Sequence, residues 1–250
     1  MKVLCNYLGG SISYGLNTPS SDKDERYLFL NTDVSKIIGL GRQDHEVKQK
    51  DGEDKFGWEI RHFLNTLKRG NTMCLEMMYN DNWIIITDEF RHIQSLREQL
   101  IDSHLLYKCL RGYCQSERAL VLGERTGVLG GKRRAHLDTY GYSYKNAVQF
   151  LRLCLCGKVF FQAGYFPVNI TSVDTSGLLF NIKTNPAKYT KDDVIKLMDE
   201  YEIHLQNSYN TIKVIYKYDD DIANNLCYDL YMPILNYSSK SSWKSEKNFG

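Results

Sequence analysis

The segment from Gly9 to Leu30, GGSISYGLNTPSSDKDERYLFL, limits the folds open to this chain more than any other. Asp22 and Asp24 stand two residues apart at the head of a run, Arg26 to Leu30, whose aromatic and aliphatic residues predict a strand. Side chains alternate faces along a strand, so both carboxylates point the same way, about 7 Å apart. Like charges on one face repel, and a divalent cation bound through oxygen relieves that repulsion. Upstream, Gly9-Gly10 ends a first strand, Val3 to Leu8, and leads into a short helix, Ser11 to Gly15. The leading N–H groups of such a helix suit a phosphate. Phosphate donors and metal-binding carboxylates in one short stretch imply chemistry on a nucleoside triphosphate.

In-line attack of a hydroxyl on the α-phosphate builds charge on the attacking oxygen, the phosphoryl oxygens and the leaving pyrophosphate, and two Mg²⁺ ions stabilise both ends. Two ions need about three carboxylates. Asp22 and Asp24 supply two, and the third must come from a neighbouring strand. Asp54 is well placed, because it opens the next strand-like run, Asp54 to Ile60. Mn²⁺ could replace Mg²⁺ at such oxygen ligands.

Farther along, Ile60, Phe63, Leu64 and Leu67 recur at helical spacing, with Gly70 as the C-cap. Cys74 to Tyr79 is a second apolar segment, and Trp83 to Ile86 reads as a short buried strand or turn. Asn31 to Gly52 is polar and reads as an irregular excursion. Beyond residue 90 helical periodicity dominates, in Glu89 to Leu110, Tyr107 to Leu122, Tyr144 to Cys156 and Asp192 to Tyr209. Gly123 to Arg134 reads as a loop carrying the basic cluster Lys132-Arg133-Arg134. These patterns predict an α+β chain: a small mixed sheet with helices over 1–90, a mainly helical region over 91–237, and a flexible tail over 238–250.

Composition narrows the partners. A net charge of +2 excludes a global field for nucleic acid, so any RNA contact would be a local patch. The seven cysteines show no repeated spacing, and Cys154 and Cys156 cannot share one helix face, so buried reduced thiols are expected rather than a zinc site. MKVLCNYLGG is too short an apolar run for a signal peptide, and no stretch approaches a membrane span, so a cytoplasmic protein is expected.

Gly10-Ser11, Tyr14-Gly15-Leu16, Thr18-Pro19, Ser21-Asp22 and Asp24 resemble the signature of the DNA polymerase β superfamily of nucleotidyltransferases. The likeness is greatest to a phage and bacterial RNA-repair-pathway branch, matched further by Asp54, Ile60-Arg61-His62-Phe63, Gly70-Asn71, Glu76, Lys145 and Arg152-Leu153. It departs from that branch at Tyr27, Thr72, Asn146 and Gln149, none of them a metal position. The resemblance implies that Gly10 and Ser11 hold the β- and γ-phosphates. By it, Asp22 and Asp24 bind both metals, and Asp54 holds the metal nearer the acceptor and takes its proton. Lys145 and Arg152, seven residues apart on one helix face, would reach the triphosphate or the acceptor backbone. Glu53 and Glu59 are carboxylates near Asp54, Glu59 on the other side of a regular strand, and Glu76 is read as a local cap or salt-bridge partner rather than a metal ligand. The expected activity is transfer of a nucleoside monophosphate from an NTP such as ATP to a hydroxyl, with an RNA or tRNA end as acceptor. Two alternatives remain: nucleotidylation of a protein partner, and a catalytically silent nucleotide- or RNA-binding module on the same fold.

Overall fold

The computed structural model describes residues 1–38, 44–50, 53–124 and 131–245. The chain opens with β1 (Lys2–Leu8), a single helical turn α1 (Gly10–Ser13) and β2 (Lys23–Leu30). There follow α2 (Val34–Ile38), β3 (His45–Lys50), β4 (Glu53–Glu59), α3 (Ile60–Lys68), α4 (Thr72–Tyr79) and β5 (Ile85–Ile86). The helical part comprises α5 (Asp88–Ser95), α6 (Ser103–Leu122), α7 (Gly131–Tyr140), α8 (Tyr144–Ala163), α9 (Leu178–Thr184), α10 (Lys191–Asn210) and α11 (Asp220–Ser245). The α+β class read from the sequence is the class observed.

The described strands form one mixed sheet in the order β3-β4-β2-β1-β5. β2 and β4 run parallel, while β1 pairs antiparallel with β2 and β5, and β3 with β4. The second half of β2, Tyr27 to Leu30, is buried as a continuous apolar run, whereas its first half is partly open. That asymmetry leaves the acidic end of the strand partly open to solvent and sinks the other end in the core.

Three elements arise where the sequence predicts irregular chain. The 31–52 excursion folds into α2 and the edge strand β3. β3 (HEVKQK) has a single aliphatic residue, Val47, which is exposed, so no period-2 apolar pattern announces it. Its ladder to β4 supplies the order instead. Likewise α7 begins at Gly131, inside the stretch read as a loop; 125–130 and the side chains of Lys132 and Arg133 lie outside the described residues, and Arg134 is exposed. α11 continues to Ser245, past position 237, and 246–250 lie outside the described residues. Toward the sheet edge, β5 is only Ile85–Ile86, with Ile84 and Ile85 exposed rather than buried.

Several helices start at a side-chain cap, although α1, α8 and α9 have none. Glu59, fully buried, accepts from the backbone N–H groups of Arg61 and His62 and from Arg61 Nε, and receives the Tyr231 hydroxyl of α11. A carboxylate the sequence places at the end of β4 is thus the anchor that ties α11 to the core. Asn71 caps α4, Thr87 caps α5, Asp102 caps α6, and Thr190 forms a capping box with Asp193 on α10. α8 is the centre of the helical layer, packed between α6, α9 and α10. Gly157 lets the helices approach: a Cβ there would lie 2.7 Å from Leu205 Cδ1 and 2.8 Å from Leu110 Cδ1. All seven cysteines are free thiols, and among the described residues no helix is long and apolar enough to cross a membrane.

Gly157→Val should therefore overpack the α6–α8–α10 junction and cost about 1–3 kcal/mol. Chemical denaturation would record it as a lower midpoint at unchanged slope, and stability equal to wild type would contradict this packing.

Candidate active site

β2 and β4 carry the acids to one edge of a cavity. Asp24 pairs with Asp54 in the parallel register, so the two side chains leave the sheet on the same face from adjacent strands, about 4.8 Å apart at the backbone. Asp22 lies two residues before Asp24, just outside the strand. Glu25, the next residue along β2, faces the other way and is taken up by Lys55 at 2.5 Å and Asn6 at 2.6 Å. The cavity-side carboxylates lack such partners: among the described residues neither Asp22 nor Asp54 forms an ion pair. Asp24 has one, a loose contact at 3.4 Å between its Oδ1 and Arg26 Nη2, while Arg26 Nη1 donates to the Asp54 carbonyl at 3.3 Å. The arginine covers one side of Asp24 and holds β2 to β4.

The other side of Asp24 faces the turn after β1. Gly9 N–H donates to the Asp24 carbonyl at 2.7 Å. Gly10 takes φ +61°, and a Cβ on it would collide with Asp24 Oδ2. The Gly-Gly step is thus required twice, by a left-handed backbone and by close approach to a carboxylate. Ser11 follows in α1, whose first N–H groups have no partner within the turn.

Helical elements complete the cavity, which holds about 480 Å³. Ser11, Asp22 and Asp24 line it from the sheet side, Lys145, Gln149 and Arg152 from α8, and Lys183 from α9. Asp54 lies just outside it, exposed. The seven-residue spacing of Lys145 and Arg152 does bring both to one cavity. Their environments differ, however. Lys145 is exposed, whereas Arg152 is only 1% exposed and forms the floor.

Arg152 belongs to a buried cluster. Its Nη2 lies 2.9 Å from Glu76 Oε1, its Nε donates to Gln149 Oε1 at 3.1 Å, and its guanidinium carbon stands 3.7 Å from the Tyr14 ring centroid. Tyr14 in turn donates to Glu76 Oε2 at 3.0 Å. Burial opposes the charge on Arg152, but Tyr14 and Glu76 beside it more than offset that and raise its proton affinity. Burial pushes the Tyr14 phenol up, the arginine opposes and Glu76 adds to the rise, so Tyr14 stays protonated as a donor. Glu76, a cap or salt-bridge partner by the sequence reading, is the counter-charge of this cluster. Arg152 Nη1 and Nη2 and Glu76 Oε1 are all buried without a hydrogen-bond partner among the described residues, so the 2.9 Å contact is an ion pair outside hydrogen-bond geometry.

The profile of RlaP, the RNA repair pathway DNA polymerase beta family, matches residues 1–176. The chain belongs to that family. The match spans the whole sheet and α8, so it covers Gly10, Ser11, Asp22, Asp24, Asp54, Lys145 and Arg152 together. Membership points to nucleotidyltransferase chemistry connected with RNA repair. No curated protein matches the chain. Residues the sequence reading passed over are Arg26 as a partner of Asp24, Tyr14 as part of the buried cluster, and Lys183. The last sits in α9, LLFNIKT, outside the family match and without a motif to signal it.

Removing one member of the buried pair strands the other. Arg152→Ala or Glu76→Ala should each lower stability by about 3–5 kcal/mol, while Arg152→Met with Glu76→Leu should recover most of the loss. Denaturant titration of the three variants tests this; additive losses in the double variant would deny the pairing.

Proposed function

We propose that the chain is a divalent-metal-dependent nucleotidyltransferase that moves a nucleoside monophosphate from an NTP to a hydroxyl of an RNA end, releasing pyrophosphate. The observation that carries the reading is the in-register pair Asp24 and Asp54 beside Asp22, at the edge of a cavity whose helical side brings lysines. Their donor set, hard carboxylate oxygens with no histidine or thiol, fits Mg²⁺ or Mn²⁺. Among the described residues no three such side chains are already gathered at metal-binding distance. An ion would have to draw Asp22, Asp24 and Asp54 together, and the common face of Asp24 and Asp54 favours that. Bound there, Mg²⁺ would neutralise charge developing on the phosphoryl and leaving oxygens.

The chain's own residues then divide the work. Gly10 and Ser11 present backbone N–H groups and a hydroxyl to the phosphates. Lys145 meets the triphosphate from α8, and the unpartnered Nη1 of Arg152 offers a donor from the floor. Asp54, exposed beside the cavity, is placed for an incoming hydroxyl and takes its proton. The family's link to RNA repair favours an RNA end as acceptor. One observation favours a second reading: the Arg26 contact on Asp24 is what a silent nucleotide-binding module would keep.

Incubation with each labelled triphosphate, Mg²⁺ and RNA or protein acceptors separates these readings. Wild type should transfer label to RNA, and Asp22→Ala or Asp24→Ala should reduce the rate by at least about 10³-fold, because several kcal/mol of charge stabilisation is lost. Label on protein alone would reassign the acceptor, and tight triphosphate binding without turnover on any acceptor would establish the silent module.

Asp54→Asn should leave triphosphate affinity within about twofold of wild type while turnover collapses, measured by calorimetry and single-turnover assay. Lost binding with normal turnover of the remaining complex would reject the acceptor-side role.

A further inference from the structure

α9 delivers a positive charge to the cavity that no motif announces. Lys183 lines the same space as Asp22, Asp24 and Lys145. Its ammonium donates to the Leu16 carbonyl at 2.6 Å, and the Leu16 N–H in turn donates to the Ser11 carbonyl at 2.9 Å. The lysine is thus positioned against the very turn that carries Gly10 and Ser11. Among the described residues neither Lys183 nor Lys145 has a carboxylate within 4.0 Å, so a neutral carbonyl is the one partner that Lys183 holds.

That arrangement has a physical cost. Lys183 is half-buried, and burial first, then the nearby Lys145 ammonium, lowers its affinity for protons. Two ammonium groups that face one cavity with no carboxylate within 4.0 Å of either destabilise each other, and an anion spread over several oxygens relieves both at once. An ammonium also has three donors, and Leu16 uses one.

We propose that Lys183 is a second polyphosphate ligand, which with Lys145 grips the tail of the nucleoside triphosphate. The inference rests on the nucleotidyltransferase reading above and adds to it a binding residue from beyond residue 176, where the family match ends. It also gives α9 a purpose: the helix seats Leu179 and Ile182 in the core and turns Lys183 toward the ligand.

Calorimetry with tripolyphosphate, an NTP and the matching NMP tests this on wild type, Lys183→Gln and Lys183→Arg. Glutamine removes the charge and keeps an N–H donor, one bond shorter than the ammonium. Lys183→Gln should bind tripolyphosphate and NTP about 10- to 100-fold more weakly, the loss of one charge-assisted hydrogen bond, with unchanged Tm and NMP affinity. Lys183→Arg should restore most of the tripolyphosphate affinity. Wild-type tripolyphosphate affinity in Lys183→Gln overturns the inference and leaves the nucleotidyltransferase reading standing. A lowered Tm with equal losses for all three ligands also overturns it, reducing Lys183 to a structural tether. A wild-type chain that binds neither NTP nor tripolyphosphate overturns both readings.

Discussion

The buried contact of Arg152 with Glu76 and Tyr14 is the interaction on which the arrangement of the molecule depends. Tyr14 follows the turn after β1, Glu76 lies in α4, and Arg152 comes from α8. One cluster therefore fixes three segments that are far apart in sequence, and it fixes the sheet to the helical layer. A charge so deeply buried is tolerable only when paired, so the geometry of the three groups is tightly constrained. Tyr14 and Arg152 of that cluster also line the cavity, so the packing of the core and the shape of the cavity share atoms.

Around that cavity, charge is sorted by element. The sheet contributes Asp22, Asp24 and Asp54, while the helices contribute Lys145 and Lys183. On the far face of β2, Glu25 has its lysine and is structurally satisfied. On the cavity face, among the described residues, the acids and lysines stay apart, and Asp24 has a long contact with Arg26 instead. Oppositely charged groups that are near yet unpaired keep their capacity for cations and polyanions respectively, which is the electrostatic requirement for handling a metal-bound polyphosphate.

Much of this was legible in the chain itself. The Gly-Ser turn and the opening of the next strand near Asp54 follow from local rules, and the parallel register pairs Asp24 with Asp54, while Asp22 falls just before the strand that the sequence reading extends to include it. The amphipathic stripe of α3 and the end at Gly70 also follow from local rules. β3 was not legible because an edge strand draws its order from its partner's ladder rather than from an apolar face. α9 was not legible because seven residues carry too short a period, and Lys183 looks like any solvated lysine in sequence.

By itself, then, the sequence determined which residues could do chemistry and which elements would carry them, because periods of 2 and 3.6 and turn propensities act within a few residues. Only the tertiary structure decided their partners. It withdrew Arg152 into a buried pair with Glu76, set Arg26 against Asp24, and brought Lys183 within reach of the turn at Ser11. Glu76 and Arg152 meet across 76 residues of chain and Leu16 and Lys183 across 167, and no local pattern encodes such contacts.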